Sequence, residues 1–277
     1  MAAATPVTDT PPRGTPAATP GDVIVRARGI TKRFGALTAL AGVDMDIRAG
    51  EVTALLGDNG AGKSTFVKVL AGAHPATDGT LEVGGETVRF NSPKEAAEYG
   101  IATIYQELAL SENLTVTENV FLGHELTRRV LGLPFLRMRE MHSHVAGLLK
   151  TLDAHIHDTR ALVGGLSGGQ RQAVAISRAL NLEARVVIMD EPTAALAVAE
   201  TRKVLALARR LAEQGCAVVL ISHNIADVFE VADRMAVFRR GHKIAERTHA
   251  ETDPDEIVSL ITGAHPDARA LDERLRQ

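Results

Sequence analysis

The chain has 277 residues, 45% of them hydrophobic and 23% charged, with a formal net charge of −3, which are ordinary proportions for one globular domain with room for a subdomain. The charge balance and the absence of a long basic run argue against nucleic acid as the main partner. The single cysteine, Cys216, excludes an internal disulfide and fits a reducing compartment, and no apolar stretch is long enough to span a bilayer, so membrane attachment must come through a partner.

In chain order, residues 1–20 are rich in Ala, Thr and Pro and lack the apolar segment of a signal peptide, so a disordered tail is expected. Residues 23–47 alternate in places, with Val43, Met45 and Ile47 set against Asp44, Asp46 and Arg48, the pattern of a half-buried antiparallel strand. Residues 51–56 read as a short buried strand and 64–71 as a helix with an apolar face. Residues 80–90 read as a hairpin turning at Gly84-Gly85. Ser92-Pro93-Lys94-Glu95 has the form of a capping box with proline at the first helical position, and Thr115-Val116-Thr117-Glu118 repeats the box. Between about 108 and 162 no convincing strand is found, and a helical subdomain over about 108–180 is expected.

Residues 171–180 have helical composition. Val186-Val187-Ile188-Met189 is an apolar run of the kind seen in parallel strands buried on both faces. Val204, Leu207, Ala208 and Leu211 mark an amphipathic helix, and 217–221 a further strand, which Cys216 precedes as a small packing residue. The charged residues 264–277 are expected to be a frayed tail. Two His-x-His pairs, His142/His144 and His155/His157, lack the spacing and companions of a metal site, because residues two apart on a helix do not share a face.

Two stretches carry chemistry. Gly57-Asp58-Asn59-Gly60-Ala61-Gly62-Lys63-Ser64, followed by Thr65, fits G-x-x-x-x-G-K-[ST] between a strand and a helix, the context a phosphate loop requires. Its glycines let successive N–H groups turn inward on an anion, and the helix start adds its positive dipole end. Lys63 is placed for the β- and γ-phosphates and the Ser64 hydroxyl for Mg²⁺. Asp190, at the end of its apolar run, is the carboxylate for the metal side, and Glu191 is placed to polarise a water. Leu166-Ser167-Gly168-Gly169-Gln170 opens the helical stretch 171–180, a second anion site at a helix start. Two such starts far apart suggest a nucleotide gripped from both sides.

These motifs, over residues 23–263, resemble the ATPase subunit of an ATP-binding cassette (ABC) transporter. The resemblance implies an α/β fold: a P-loop NTPase core with a mixed sheet flanked by helices, an antiparallel β subdomain, and an inserted helical signature subdomain. It implies that Phe34 stacks on adenine, that Gln106 touches Mg²⁺ and faces a membrane subunit, that 166–170 is the family signature, that Asp190 and Glu191 are metal-side acid and catalytic base, and that His223 contacts the γ-phosphate. Singly, Phe34, Gln106 and His223 have bland readings as an aromatic, a strand end and a satisfied histidine; their joint order gives them meaning. One departure stands out: Ala197 occupies the position where the family usually carries an aspartate that helps the two ATP sites sense each other.

Further residues resemble the monosaccharide-importing branch (ribose, xylose or fructose type): 57–60, 105–108, 222–224, 228–234 and 260–264. One copy of each motif makes the chain a single-cassette form. The resemblance therefore implies a homodimer that binds ATP and Mg²⁺ head to tail. Its expected place is peripheral, on the cytoplasmic face of the plasma membrane. Its expected partners are an integral-membrane permease and, indirectly, an extracytoplasmic sugar-binding protein, with no nucleic acid. The competing reading is a soluble non-transport ABC ATPase acting on a ribosome or on DNA. Ribosome-acting relatives usually carry two cassettes and DNA-acting ones long insertions, and neither is found.

Overall fold

The computed structural model describes residues 19–104, 110–130, 133–152, 154–181, 184–193 and 197–276. In chain order the strands and helices are β1 (Val23–Phe34), β2 (Leu37–Arg48), β3 (Val52–Leu56), α1 (Lys63–Leu70), β4 (Asp78–Val83), β5 (Glu86–Val88), α2 (Pro93–Glu98) and β6 (Ile101–Ile104). There follow α3 (Val116–Phe121), β7 (Thr127–Val130), β8 (Leu133–Leu136), α4 (Met138–Thr151) and α5 (Gly168–Asn181). The chain ends with β9 (Val186–Asp190), α6 (Val198–Glu213), β10 (Ala217–Ile221), α7 (Ile225–Val231), β11 (Arg234–Arg239), β12 (His242–Thr248), α8 (Pro254–Thr262) and α9 (Pro266–Arg274). They fall into two units, one drawn from Gly14–Gln106 and Arg185–Gln277, the other from Glu107–Ala184.

The first unit holds two sheets. One is antiparallel, ordered β2-β1-β4-β5; the other has six strands, ordered β12-β11-β3-β10-β9-β6. In the larger sheet β6, β9, β10, β3 and β11 run parallel, and β12 closes the edge antiparallel to β11. Every residue of β3 and of β10 is buried, as expected of a strand covered on both faces. The register places Ile221 beside both Leu55 and Asp190, so β3, β9 and β10 end side by side. α1 buries Phe66, Val67 and Leu70 into the core, where Phe66 meets Phe238 of β11 at 5.6 Å between ring centroids.

The C-terminal residues correct an expectation. Residues 266–274 are a helix rather than a frayed tail. His265 caps it, Pro266 sits at its start, and Ala268 and Leu271, three apart, are buried. The Ser92 box is also altered: Ser92 accepts the Glu95 N–H, but the Glu95 carboxylate takes the N–H of Asn91 rather than that of Ser92.

The second unit packs α3, α4 and α5 around Val116, Val120, Phe121, Met141, Val145, Leu149, Val163 and Val174. The Thr115 box is complete: the Glu118 carboxylate accepts from Thr115 N–H and Oγ1–H at 2.8 Å each. His142 is held between the hydroxyls of Thr117 and Thr159 at 2.8 and 2.9 Å. A second correction lies here, because β7 and β8 form a two-stranded antiparallel hairpin where no strand is expected. Its strands are four residues long, contain Pro134 and are exposed throughout, so they carry no burial alternation for a sequence pattern to reveal.

Candidate functional site

The end of β3 turns into α1 through the phosphate loop. Gly57, Gly60 and Gly62 have φ of 141°, 78° and 109°, a region side chains rarely enter. At Gly57 the reason is also spatial: a Cβ there would lie 2.2 Å from the carbonyl oxygen of Phe238. Gly62 caps α1, and a Cβ would meet the Ala39 carbonyl and Leu40 at 2.9 Å. Asp58, Asn59, Gly60 and Ser64 face solvent, Thr65 is half-buried, and Ala61 is buried.

Lys63 is buried, and its Nζ donates to the carbonyls of Gly57 and Asp58 at 2.6 and 2.9 Å. Burial pushes its pKa down, and the carboxylates of Glu191, Asp58 and Asp190 oppose that. Burial likewise pushes the Asp190 carboxyl up, helped by Glu191 and opposed by Lys68 and Lys63. An ammonium and a carboxyl both disfavoured in charged form suit a site whose charges are completed by a ligand. Asp190 and the Ser64 hydroxyl offer hard oxygen donors, the kind Mg²⁺ prefers.

Glu191 follows β9 with φ of 49°, a left-handed conformation rare for glutamate, and its N–H donates to the Ile221 carbonyl at 3.0 Å. Such strain at a strand end is characteristic of working residues. Its Oε2 lies 3.7 Å from Nδ1 of His223, whose side chain is 73% exposed. His223 is held one residue past buried Ser222, and Asn224 caps α7 by accepting the N–H groups of Ala226 and Asp227. Three parallel strand ends thus deliver the phosphate loop, Asp190–Glu191 and His223 to one edge of one sheet.

Phe34, at the end of β1, is 44% exposed, with the His74 ring edge-on at 5.4 Å between centroids and Lys32 Nζ 5.0 Å from its centroid. It is an open ring fit for stacking. Gln106 lies outside the described residues, as do positions 194–196. Ala197 is described: it is the N-cap residue of α6 and gives no side-chain hydrogen bond.

In the second unit, the motif 166–170 opens α5 as a capping pair. Ser167 N–H donates to Gln170 Oε1 at 3.0 Å, and Gln170 N–H to Ser167 Oγ at 3.3 Å. Gln170 Nε2 also reaches the His155 carbonyl at 2.8 Å. Ser167 and Gly168 are exposed, with Leu166 and Gly169 half-buried. The helix start is therefore ordered and open to an anion.

Sequence reasoning missed Arg239. Its guanidinium grips the Asp272 carboxylate of α9 through Nε and Nη2 at 3.2 and 2.8 Å, donates to the Ile261 carbonyl at 2.9 Å, and lies 3.9 Å from the Asp58 carboxylate. Gly263 ends α8 in a left-handed conformation with φ of 89°, which favours glycine, and a Cβ there would also lie 2.6 Å from this guanidinium. A pocket of about 580 Å³ beside the loop is lined by Asp58, Asn59, His223, Ile225, Val258 and Ile261, so α8 forms part of the wall. The pairing spans 33 residues and leaves no local signal.

A sequence model of the family described as "ABC transporter" matches residues 40–194. The chain is 47% identical over 239 residues to a xylose/arabinose import ATP-binding protein of Sulfolobus acidocaldarius, covering 86% of this chain and 94% of that one. It is 42% identical over 245 residues to a fructose import ATP-binding protein of Rhizobium meliloti, covering 87% and 94%. Against a ribose import ATP-binding protein of Rubrobacter xylanophilus it is 46% identical over 242 residues, covering 87% of this chain and 46% of the relative, so it spans about half of that length. Among solved structures, a nucleotide-free ATP-binding cassette from an ABC transporter superposes with TM-score 0.73 at 27% identity, covering 89% and 97%. A dimeric cassette in a post-hydrolysis state, bound to ADP and Pi, superposes with TM-score 0.69 at 26% identity, covering 81% and 98%.

Proposed function

Because the chain belongs to the ABC transporter family, as one of its ATP-binding cassettes, we propose that it binds and hydrolyses ATP to energise import of a monosaccharide through a partner permease. The observation that carries this reading is the meeting of the phosphate loop, Glu191 and His223 at adjacent strand ends, with Glu191 and His223 3.7 Å apart.

In this reading the Gly57–Gly62 backbone receives the phosphates and Lys63 leaves its two loop carbonyls for them. Glu191 takes the proton of the attacking water, and His223 steadies the γ-phosphate side. Ser64, Asp190 and Gln106 would hold Mg²⁺, which when bound neutralises charge on the β- and γ-phosphates. Phe34 receives the adenine face. A second copy supplies Ser167 and Gly169 to the same nucleotide, so the ATP completes a head-to-tail dimer. The dimeric relative bound to ADP and Pi supports two copies as the working form. The sugar assignment rests on the xylose/arabinose, fructose and ribose relatives. The chain then works as a peripheral subunit at the cytoplasmic membrane face; among the described residues no helix is long and apolar enough to cross a bilayer. The solute is chosen by the permease and by an extracytoplasmic sugar-binding protein.

Affinity capture of the tagged chain from its own cells tests this. Recovery of an integral-membrane permease, and ATP-dependent uptake of a pentose or hexose by vesicles holding the complex, is the expected result. Recovery of ribosomes or DNA instead would replace transport by the soluble reading.

A further inference from the structure

The hairpin β7–β8 has no place in the ATP chemistry, yet it shows a specific surface. Paired residues across an antiparallel ladder share a face, so Arg128 with Phe135 and Val130 with Leu133 form one side. Val130, Leu133 and Phe135 are 40%, 62% and 50% exposed, and Leu136, on the other side, is 52% exposed. A cluster of large apolar side chains left in water on so small an element marks a contact surface. The segment 127–139 contains Arg128, Arg129, Arg137 and Arg139 and no acidic residue, within a chain of net charge −3. All four arginines are exposed, and Arg137 also reaches Glu140 at the start of α4.

We propose that this hairpin is a membrane-surface contact: Val130, Leu133 and Phe135 enter the interfacial layer of an anionic lipid leaflet, and Arg128 on the same face, with Arg139 beyond the hairpin, pairs with its headgroups. The inference rests on the reading above, which puts the chain at the cytoplasmic face. Charge decides between lipid and permease. Cytoplasmic loops of membrane proteins carry an excess of Lys and Arg, which repels an arginine-rich face. The cytoplasmic leaflet is negative and attracts it, each arginine near the surface adding to the attraction. Phe and Leu supply the apolar insertion that charge alone lacks, and the arginine stems can lie along it while the guanidinium groups stay at the headgroups.

The test is flotation of the full chain with phosphatidylcholine vesicles, with and without phosphatidylglycerol. Wild type is expected to float with the anionic vesicles only, and less so as salt is raised. Leu133→Ser/Phe135→Ser and Arg128→Gln/Arg139→Gln should each lower partition about tenfold or more. Both should retain the wild-type thermal midpoint and ATPase rate, because the altered side chains are exposed and lie outside the proposed catalytic set. A chain that floats but does not hydrolyse ATP would overturn the catalytic reading and leave the lipid contact standing. Wild type that ignores anionic vesicles, or hairpin variants that float as wild type does, would overturn the lipid contact. Loss of permease capture by variants whose wild type never bound vesicles would likewise overturn it, by assigning the face to protein.

Discussion

Replacing Gly57 by alanine should damage the phosphate loop more than any other one-methyl change in it. The added Cβ would lie 2.2 Å from the Phe238 carbonyl oxygen and 3.1 Å from the Ala61 Cβ. The first distance is over 1 Å short of ordinary van der Waals contact, where attraction is optimal at about 3.5–4.0 Å, and the second is tight as well. Phe238 cannot move aside. It is fully buried, its ring packs on Phe66, and its strand is laddered to β3 on one side and β12 on the other. The loop must therefore yield. Overpacking costs about 1–3 kcal/mol, and alanine at a φ of 141° adds strain of about 1–3 kcal/mol. Together about 2–6 kcal/mol bears on the segment that must point its N–H groups at phosphate, and ATP binding should weaken at least tenfold. Gly60→Ala is the control: its φ is 78°, but nothing lies within 4 Å of its Cβ, so it bears strain without collision. Titration of both variants with a fluorescent ATP analogue, beside thermal melts, gives the comparison. Equal affinities for Gly57→Ala and Gly60→Ala, or wild-type affinity for Gly57→Ala, would refute the steric argument.

Two further predictions use caps. Ala197→Asp should place an acceptor at the start of α6, three residues before Glu200, and stabilise by about 1 kcal/mol, a rise of about 2 °C in Tm by calorimetry; an unchanged or lower Tm would contradict the cap geometry. Glu118→Gln tests the Thr115 box by pH. The two Thr115 hydrogen bonds hold the Glu118 carboxyl below the usual glutamate range. Its stabilisation is therefore complete above the unfolded pKa and lost as pH falls through the depressed folded one. Urea melts should show wild type ahead of the variant by a constant margin near neutrality, and the margin should shrink as pH falls through the depressed folded pKa. A margin that persists in acid would show that the carboxylate is not its source.

Much of the site was legible because its chemistry is carried by backbone. A loop that aims N–H groups at phosphate needs Gly57, Gly60 and Gly62 at fixed spacing, and that spacing survives in one dimension. Val186–Asp190 was legible for a related reason: a strand covered on both faces has no polar residues until it ends. The Ser167–Gln170 pair announced a helix start by the same local bonding that builds it. The losses are equally physical. The α9 helix was hidden behind its charged surface, and only Pro266 and the Ala268–Leu271 spacing betrayed it. The β7–β8 hairpin buries nothing and so has no pattern. Arg239 owes its place to Asp272 and Asp58, far along the chain, and to a glycine at 263 that leaves it room. Long-range pairing of this kind is written in three dimensions only.

The most direct test of the account is ATP turnover and assembly state in one preparation of Glu191→Gln beside wild type. Wild type should hydrolyse Mg-ATP. The variant should bind ATP with near wild-type affinity, lose turnover by at least about a hundredfold, and sediment as a stable dimer only when ATP is present. Unimpaired hydrolysis by the variant would remove Glu191 as the base, and a monomer at saturating ATP would remove the shared site.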